Sequence, residues 1–505
     1  MTFLIIDNNF LKHVGLLCLL FVGLEAKAQQ NNRLLPQPVI PDYVADPSVV
    51  NFNGTYYLYG TSDIDRDLKE MGPPVVWTSK DLVNWSYKGT LFEGIDWNKP
   101  YSYGPEGKKT GYFRYWAPGV VIKNGNLYHL FATIVKPDGK PGTYHLTASN
   151  PEGPFKFSNG SGVFFNQPEK EKEEAKPVAP DIDGDPFVDD DGQAYLFWRR
   201  RKAGKLSKDW NSIEGPEVSI PTKRSGYSEG PFLFKRNGIY YYFYTLSGGA
   251  NYAYPYMMSK TGPLGPFIAP EQDMVLKSDI AKGVWGPGHG NVVHVPGTDE
   301  YLFFYLEYGQ GSTTRQVFVN RLQFNADGTI QPVQVNTTGI SAMPDLNKRA
   351  LIRPVKVSAS STRRDAVIKT TIDTVIDKLM AIPPKFVETE LASVQRTMDF
   401  KPENAVDGSN GTFWMSDNAD KQPWYQIDLG VIKRVNNLEL FFVKSTLGHS
   451  FKIEKSADGH TWETVNITDS QVIHSPEVVN RIGKARFLKL TILSGAPGLW
   501  EVKLY

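Results

Sequence analysis

Ala45-Asp46-Pro47-Ser48-Val49-Val50-Asn51-Phe52-Asn53-Gly54-Thr55-Tyr56-Tyr57-Leu58-Tyr59 reads as two short strands about an Asn-Gly turn, since both residues tolerate the positive φ of tight hairpins. The plan returns four times. Ala117-Pro118-Gly119-Val120-Val121 passes Asn124-Gly125 into Leu127-Tyr128-His129-Leu130-Phe131. Asp185-Pro186-Phe187-Val188 passes Asp191-Gly192 into Ala194-Tyr195-Leu196-Phe197. Glu229-Gly230-Pro231-Phe232-Leu233 passes Asn237-Gly238 into Tyr240-Tyr241-Tyr242-Phe243. His289-Gly290-Asn291-Val292-Val293 passes Pro296-Gly297 into Tyr301-Leu302-Phe303-Phe304. At equivalent starting positions four of the five copies carry a polar residue, Asp46, Asp185, Glu229 and His289.

Units spaced in this way mark a repeat architecture. Each hairpin is followed by further strand-like sequence and another turn, as at Asp81-Leu82-Val83-Asn84-Trp85. A hairpin plus two outer strands is the content of one propeller blade. The expectation is an all-β chain: a five-bladed β-propeller over residues 36–342, then a β-sandwich over 350–505. Residues 362–386 read as an insertion in the second domain, with a short helix around 371–380.

The 505 residues suffice for two domains with buried cores, and a net charge of +1 gives no electrostatic reason to expect nucleic acid or an anionic membrane. Lys12 and His13 precede an apolar run at 14–24, and Ala26-Lys27-Ala28 supplies a small-x-small cleavage pattern, so residues 1–28 read as a signal peptide. The run is too short to span a membrane. Cys18 is the only cysteine, so the exported chain has no disulfide framework. It is expected as a secreted or periplasmic monomer. Glu169-Lys170-Glu171-Lys172-Glu173-Glu174 reads as a solvated loop. Arg199-Arg200-Arg201-Lys202 reads as a solvated strand end, with capture of an acidic sugar as the alternative.

In a propeller the starts of the innermost strands converge on one mouth. Asp46, Asp185, Glu229 and His289 hold such positions, with Trp116 just before the second copy. Carboxyls gathered in one pocket repel one another and separate their pKa values. One then remains a proton donor while another stays ionised, as hydrolysis of a glycosidic bond requires. Asp-Pro and Glu-Gly-Pro are also ordinary turn sequences; recurrence at matched positions favours a shared site.

The segments Ala45-Asp46-Pro47-Ser48-Val49, Trp116-Ala117-Pro118, Asp185-Pro186-Phe187-Val188-Asp189-Asp190-Asp191-Gly192, Ser228-Glu229-Gly230-Pro231 and Gly286-Pro287-Gly288-His289 together resemble glycoside hydrolase family 43. The resemblance implies an inverting hydrolase with Asp46 as general base, Glu229 as general acid and Asp185 tuning the acid's pKa. Base and acid carboxyls would then stand roughly 6.5–9.5 Å apart, leaving room for water. It gives His289 the place of an axial histidine facing calcium or water, beside the reading of a hydrogen-bonded core histidine. Arg315 falls near a substrate-contacting arginine of the family. Trp77, Trp116, Tyr227 and Trp285 are candidates for stacking on a sugar, and core packing explains each as well. Gly290-Asn291 departs from the family pattern and alters the channel lining.

The C-terminal zone is similar to the discoidin (coagulation-factor type C) domain and to family 32 carbohydrate-binding modules. The resemblance rests on Pro402-Glu403-Asn404-Ala405-Val406-Asp407-Gly408, Thr412-Phe413-Trp414, Trp424-Tyr425-Gln426-Ile427-Asp428-Leu429-Gly430 and Ser456-Ala457-Asp458-Gly459-His460-Thr461-Trp462. It implies a jelly-roll sandwich and a structural calcium held by Asp407, Thr412 and Glu501; oxygen ligands suit that ion. The chemistry itself needs no cofactor. The expected activity is exo-acting release of α-L-arabinofuranose or β-D-xylose from a plant polysaccharide or oligosaccharide. The alternatives are an endo-arabinanase, a galactose-releasing enzyme and a non-catalytic glycan-binding propeller. Residues 93–111 are long enough to wall off the mouth, which favours the exo reading.

Overall fold

The computed structural model describes residues 37–63, 73–90, 95–97, 99–308, 315–335, 349–383, 385 and 387–505. The expected signal peptide, with Cys18, lies outside them, as do residues 93, 94 and 98 of the proposed wall.

Five antiparallel sheets follow one another along the chain, each strand beside its sequence neighbour. Blade 1 comprises Val44–Phe52, Thr55–Ser62, Val75–Ser79 and Trp85–Thr90. Blade 2 has a split inner strand, Arg114–Pro118 and Ile122–Asn124, then Leu127–Val135, Pro141–Ala148 and Lys156–Phe157. Blade 3 is built from Asp185–Val188, Ala194–Trp198, Lys202–Leu206 and Ile213–Ser219, and blade 4 from Phe232–Arg236, Ile239–Phe243, Tyr254–Ser259 and Met274–Leu276. Among the described residues blade 5 has three strands, Gly288–His294, Tyr301–Glu307 and Gln316–Leu322, where four were expected. Beside its third strand runs the chain's start: the Val39 amide donates to the Val317 carbonyl at 2.8 Å, tying first blade to last.

The turns form as their residues dictate. Asn53 and Gly54 have φ of 53° and 79°, and Asn237 and Gly238 of 50° and 75°, the paired positive values that a two-residue hairpin needs. Side-chain alternation then builds the core. Along Ile239–Phe243 every residue is buried. Ile239, Tyr241 and Phe243 enter a cluster with Phe303 and Tyr305 of blade 5, while Tyr240 and Tyr242 enter another with Phe197 of blade 3. Successive side chains point to opposite faces, so one strand joins its blade to both neighbours. Each such burial contributes about 1.5–3 kcal/mol.

The second domain packs around a large apolar cluster that includes Trp414, Tyr425, Phe451 and Leu490. Lys356–Ala359 pairs with the long strand Trp424–Phe442, which also pairs Glu477–Ser494 and Gly498–Leu504. Tyr43 of the propeller stands 4.9 Å from Trp500 and 6.3 Å from Phe413, ring to ring, inside an apolar cluster spanning both domains. The short helix expected around residues 371–380 is present as a single turn. Ala366–Asp373 pairs with Leu391–Met398 as a separate two-stranded ribbon, and only Ile376–Leu379 is helical. The β-branched run Val367-Ile368-Lys369-Thr370-Thr371-Ile372 favours a strand, so the helix begins only after it.

Candidate active site

At the entry to every blade's inner strand one residue has positive φ: Asp46 (49°), Ala117 (35°), Asp183 (63°), Gly230 (51°) and His289 (41°). In blades 1, 2 and 5 the register slips there, a bulge that re-aims a side chain. A left-handed non-glycine residue costs on the order of 1–3 kcal/mol and persists only when its surroundings hold it. Threonines on or just past the second strands do so. Thr61 Oγ1 donates to Asp46 Oδ2 at 2.7 Å and accepts the Ala117 amide at 2.8 Å. Thr133 Oγ1 accepts the Asp183 amide, and Thr245 Oγ1 the Glu229 amide, each at 2.9 Å. Gly230 cannot bear a side chain, because a Cβ there would press on the His289 ring at 2.7 Å.

Asp46 is buried at 4% exposure. Arg315 Nη1 donates to its Oδ1 at 2.9 Å, and His289 Nδ1 lies 3.3 Å from the same oxygen. Arg315 forks onto Asp63, with Nε and Nη2 at 2.9 and 3.0 Å from its two oxygens. The structure therefore brings Arg315 to a carboxylate of the site.

Glu229 is held at both oxygens, Oε2 by the Tyr227 hydroxyl and Oε1 by that of Tyr252. Burial, then the charge of Asp183, raises its pKa to about 7. Tyr308 packs near Tyr252 and feels the charges of Arg315, Asp63, Asp46 and Glu229; burial pushes its own pKa up to about 12.

The third carboxyl at this mouth is Asp183, where the sequence pointed to Asp185. Asp183 Oδ2 accepts the Gly230 amide at 2.9 Å and stands 3.9 Å from His289 Nδ1. Burial, then the charge of Asp46, raises its pKa to about 7. Asp185 is equally buried, but its Oδ1 accepts the Val120 amide at 2.9 Å, and burial, not a neighbouring acid, raises its pKa to about 7. It lines a cavity of about 20 Å³ with Gly119, Pro231, His289 and Asn291, room for one water. The string Asp-Pro had aligned Asp185 with Asp46. Two residues along a strand keep the same face but shift it by about 6.6 Å, which separates the two aspartates' surroundings.

Asn291, the departure noted in the channel lining, exchanges two 2.8 Å hydrogen bonds with the backbone of Val49 and so stitches blade 5 to blade 1. Trp77 and Trp285 have no ring face free for a sugar. They are 0% and 2% exposed, and Trp77 sits in the core with Trp85 and Tyr87. Trp116 is half-buried with the Arg114 guanidinium 5.0 Å from its ring, and Tyr227 is 46% exposed. The Arg199 run finds protein partners: Arg199 meets Asp181 at 2.7 Å, Arg201 donates to the Gly226 carbonyl at 2.9 Å and Lys202 meets Glu217 at 2.7 Å. Arg200 stands 3.7 Å from Asp181.

Among the described residues no group of three or more His, Cys, Asp or Glu side chains surrounds a cation position, at His289 or elsewhere. Near the second domain's Asp-Gly loop, Asp407 accepts the Thr412 hydroxyl and the Ser409 amide, both at 2.8 Å. Burial raises the pKa of Glu501 to about 8, with the nearby charge of Asp407 adding to it, and Glu501 Oε2 is buried without a hydrogen-bond partner. Two neighbouring carboxyls with a free oxygen fit a hard cation.

The missed residues carry faint sequence signals. Asp183 lies two residues before the quoted motif. Thr61 lies next to the end of an aromatic second strand and Thr245 two residues beyond one.

Residues 35–330 match the family model for glycosyl hydrolases family 43, and residues 390–502 that for the F5/8 type C domain. The β-D-galactofuranosidase xynD of Aspergillus niger is 28% identical over 61% of this chain and 88% of its own length. The arabinoxylan arabinofuranohydrolase of Bacillus subtilis is 26% identical over 61% of this chain and 66% of its own length. A solved structure described as a glycoside hydrolase superposes with a TM-score of 0.79 and 39% identity, covering 94% of this chain and all of that one.

Proposed function

The chain belongs to glycosyl hydrolases family 43, and from that premise we propose that it is an exported, exo-acting, inverting glycosidase. It would release α-L-arabinofuranose or β-D-xylose from plant polysaccharide. The observation that carries this reading is the unequal setting of two carboxyls at one mouth. Asp46 lies against the guanidinium of Arg315, whereas Glu229 is buried between two tyrosine hydroxyls with its pKa raised to about 7 by burial and by Asp183. An ionised carboxylate and a protonated one are what inverting hydrolysis needs.

Asp46 takes the proton of a water as that water attacks the anomeric carbon. Glu229 delivers its proton to the departing glycosidic oxygen. Arg315, Thr61 and His289 fix Asp46, so no motion is needed to align the base. Asp183 takes the role first read for Asp185: its charge keeps the proton on Glu229, and its bond to the Gly230 amide fixes the neighbouring backbone. Trp116 and Tyr227 have ring surface available to the sugar. Asp407 and Glu501 would hold a calcium ion, which would brace their loop and take no part in the reaction.

No helix among the described residues is long and apolar enough to cross a membrane. The A. niger relative supports a second reading, release of galactofuranose. A panel of aryl arabinofuranosides, xylosides and galactofuranosides, assayed with wild type, Asp46→Asn and Glu229→Gln, tests both. Turnover of one sugar by wild type and its loss in both variants is expected. Equal activity in the three proteins would overturn the assignment of base and acid, and binding without turnover would make the protein a lectin.

A further inference from the structure

The ribbon that leaves the second domain, Ala366–Asp373 paired with Leu391–Met398, does not end in solvent. Its tip crosses to blade 4 and joins the two loops that supply the hydroxyls on Glu229. The first is the run into Tyr227. There the Ser225 amide donates to the Met380 carbonyl and the Ile382 amide to the Lys223 carbonyl, both at 2.8 Å, around an antiparallel bridge between Arg224 and Ala381. Arg224 is buried, forks onto Asp273 at 2.7 and 2.8 Å, and donates to the Asp377 carbonyl. Gly226, at φ 91°, has no room for a side chain because Met380 lies over it.

The second loop is the turn Gly249–Asn251, directly before Tyr252. Asn251 Oδ1 accepts the Asp373 amide at 2.8 Å. Ile376 and Met380 pack on the blade 4 cluster of Tyr242, Tyr244, Leu246 and Ala253. The tip thus grips one loop three residues before Tyr227 and the other one residue before Tyr252.

We propose that this ribbon is a brace for the acid: by docking on blade 4 it fixes the loops of Tyr227 and Tyr252, and through them the orientation of the Glu229 carboxyl. The second domain is then part of the catalytic framework as well as a glycan-binding module. Ile376, Met380 and Asn251 are positioning residues; none touches the substrate. The inference rests on Glu229 as the general acid.

A misplaced acid has a signature that general destabilisation lacks. Leaving groups that need a proton suffer, while those that depart as stable anions do not. The test compares kcat/KM on the 2,4-dinitrophenyl and the methyl glycoside of the sugar that wild type cleaves. Met380→Ser undocks the tip from the second domain's side, and Asn251→Ala removes the other tether without altering the ribbon. Both are expected to lose about tenfold or more on the methyl glycoside and less than about twofold on the dinitrophenyl one, with Met380→Leu restoring wild-type behaviour. Equal losses on both substrates, or no loss in either variant, would overturn the brace. Glu229→Gln is the control. If it falls equally on both substrates, the acid assignment fails; if it alone shows the selective loss, only the brace fails.

Discussion

Arg315 Nη1 lies 2.9 Å from Asp46 Oδ1, while the rest of its guanidinium is forked onto Asp63. One cation therefore orders two buried carboxylates, and the planar fork does what a lysine cannot. Arg315→Ala takes the guanidinium from both acids and is expected to destabilise the fold by about 3–5 kcal/mol, read from chemical denaturation. Arg315→Lys keeps the charge but frees Asp46 to shift, and kcat/KM is expected to fall by about 10²-fold. Wild-type kinetics in Arg315→Lys would show that Asp46 is aligned by other contacts.

Asp183 and Asp185 make opposite predictions. The charge of Asp183 raises the pKa of Glu229, so Asp183→Asn should move the alkaline limb of the kcat/KM profile to lower pH by about one unit and lower the optimum rate. Asp185 bonds to the Val120 amide, away from the acid, and asparagine can accept the same bond. Asp185→Asn should leave the limb where it is. A shift with Asp185→Asn and none with Asp183→Asn would reverse the two roles.

That pair also marks the limit of what was legible in the chain. The hairpins were, because Asn53-Gly54 and Asn237-Gly238 encode their own positive φ. Asp46 and Glu229 were, because each sits at a repeat boundary. The offset in blade 3 was not: Asp185-Pro186 copies the letters of Asp46-Pro47, while the left-handed backbone belongs to Asp183. Tyr252 and Asp63 reach the site through loop geometry, which no local pattern encodes. Trp77 and Trp285 read as sugar platforms or as core, because an aromatic ring suits a core and a mouth equally well; only burial separates the two. The ribbon at 366–398 was legible only in the short helix at its tip, since the pairing of its two strands and its docking on blade 4 are long-range events.

Stability should follow pH with an unusual sign. Burial lifts Asp183, Asp185 and Glu229 to about 7 and Glu501 to about 8. The folded chain keeps protons that the unfolded chain has released, so these groups lower stability as pH rises from about 4 to 8. His145 and His449, lowered to about 4 by burial, work the other way, but only below their unfolded value of about 6.5. Above that pH the carboxyls act alone. Melting temperature in chelator-treated buffer is therefore expected to fall between about pH 6.5 and 8. A flat or rising curve would contradict the buried protonated carboxyls.

Calcium should reverse part of that loss. Binding at Asp407 and Glu501 requires both ionised, and an ion in hundredfold excess over its dissociation constant adds about 2.7 kcal/mol. Excess calcium should raise the melting temperature of wild type at pH 8 by several degrees and leave Glu501→Gln unmoved. An equal rise in both proteins would place the ion elsewhere.

The most direct test of the account is the configuration of the first product. With Asp46 activating water on one face and Glu229 protonating the leaving oxygen on the other, each turnover inverts the anomeric carbon. Proton NMR during the first minutes of hydrolysis, before mutarotation, should show the anomer opposite to that of the substrate. Appearance of the retained anomer would mean that one of the carboxyls attacks the sugar itself, and would contradict the roles assigned to Asp46 and Glu229.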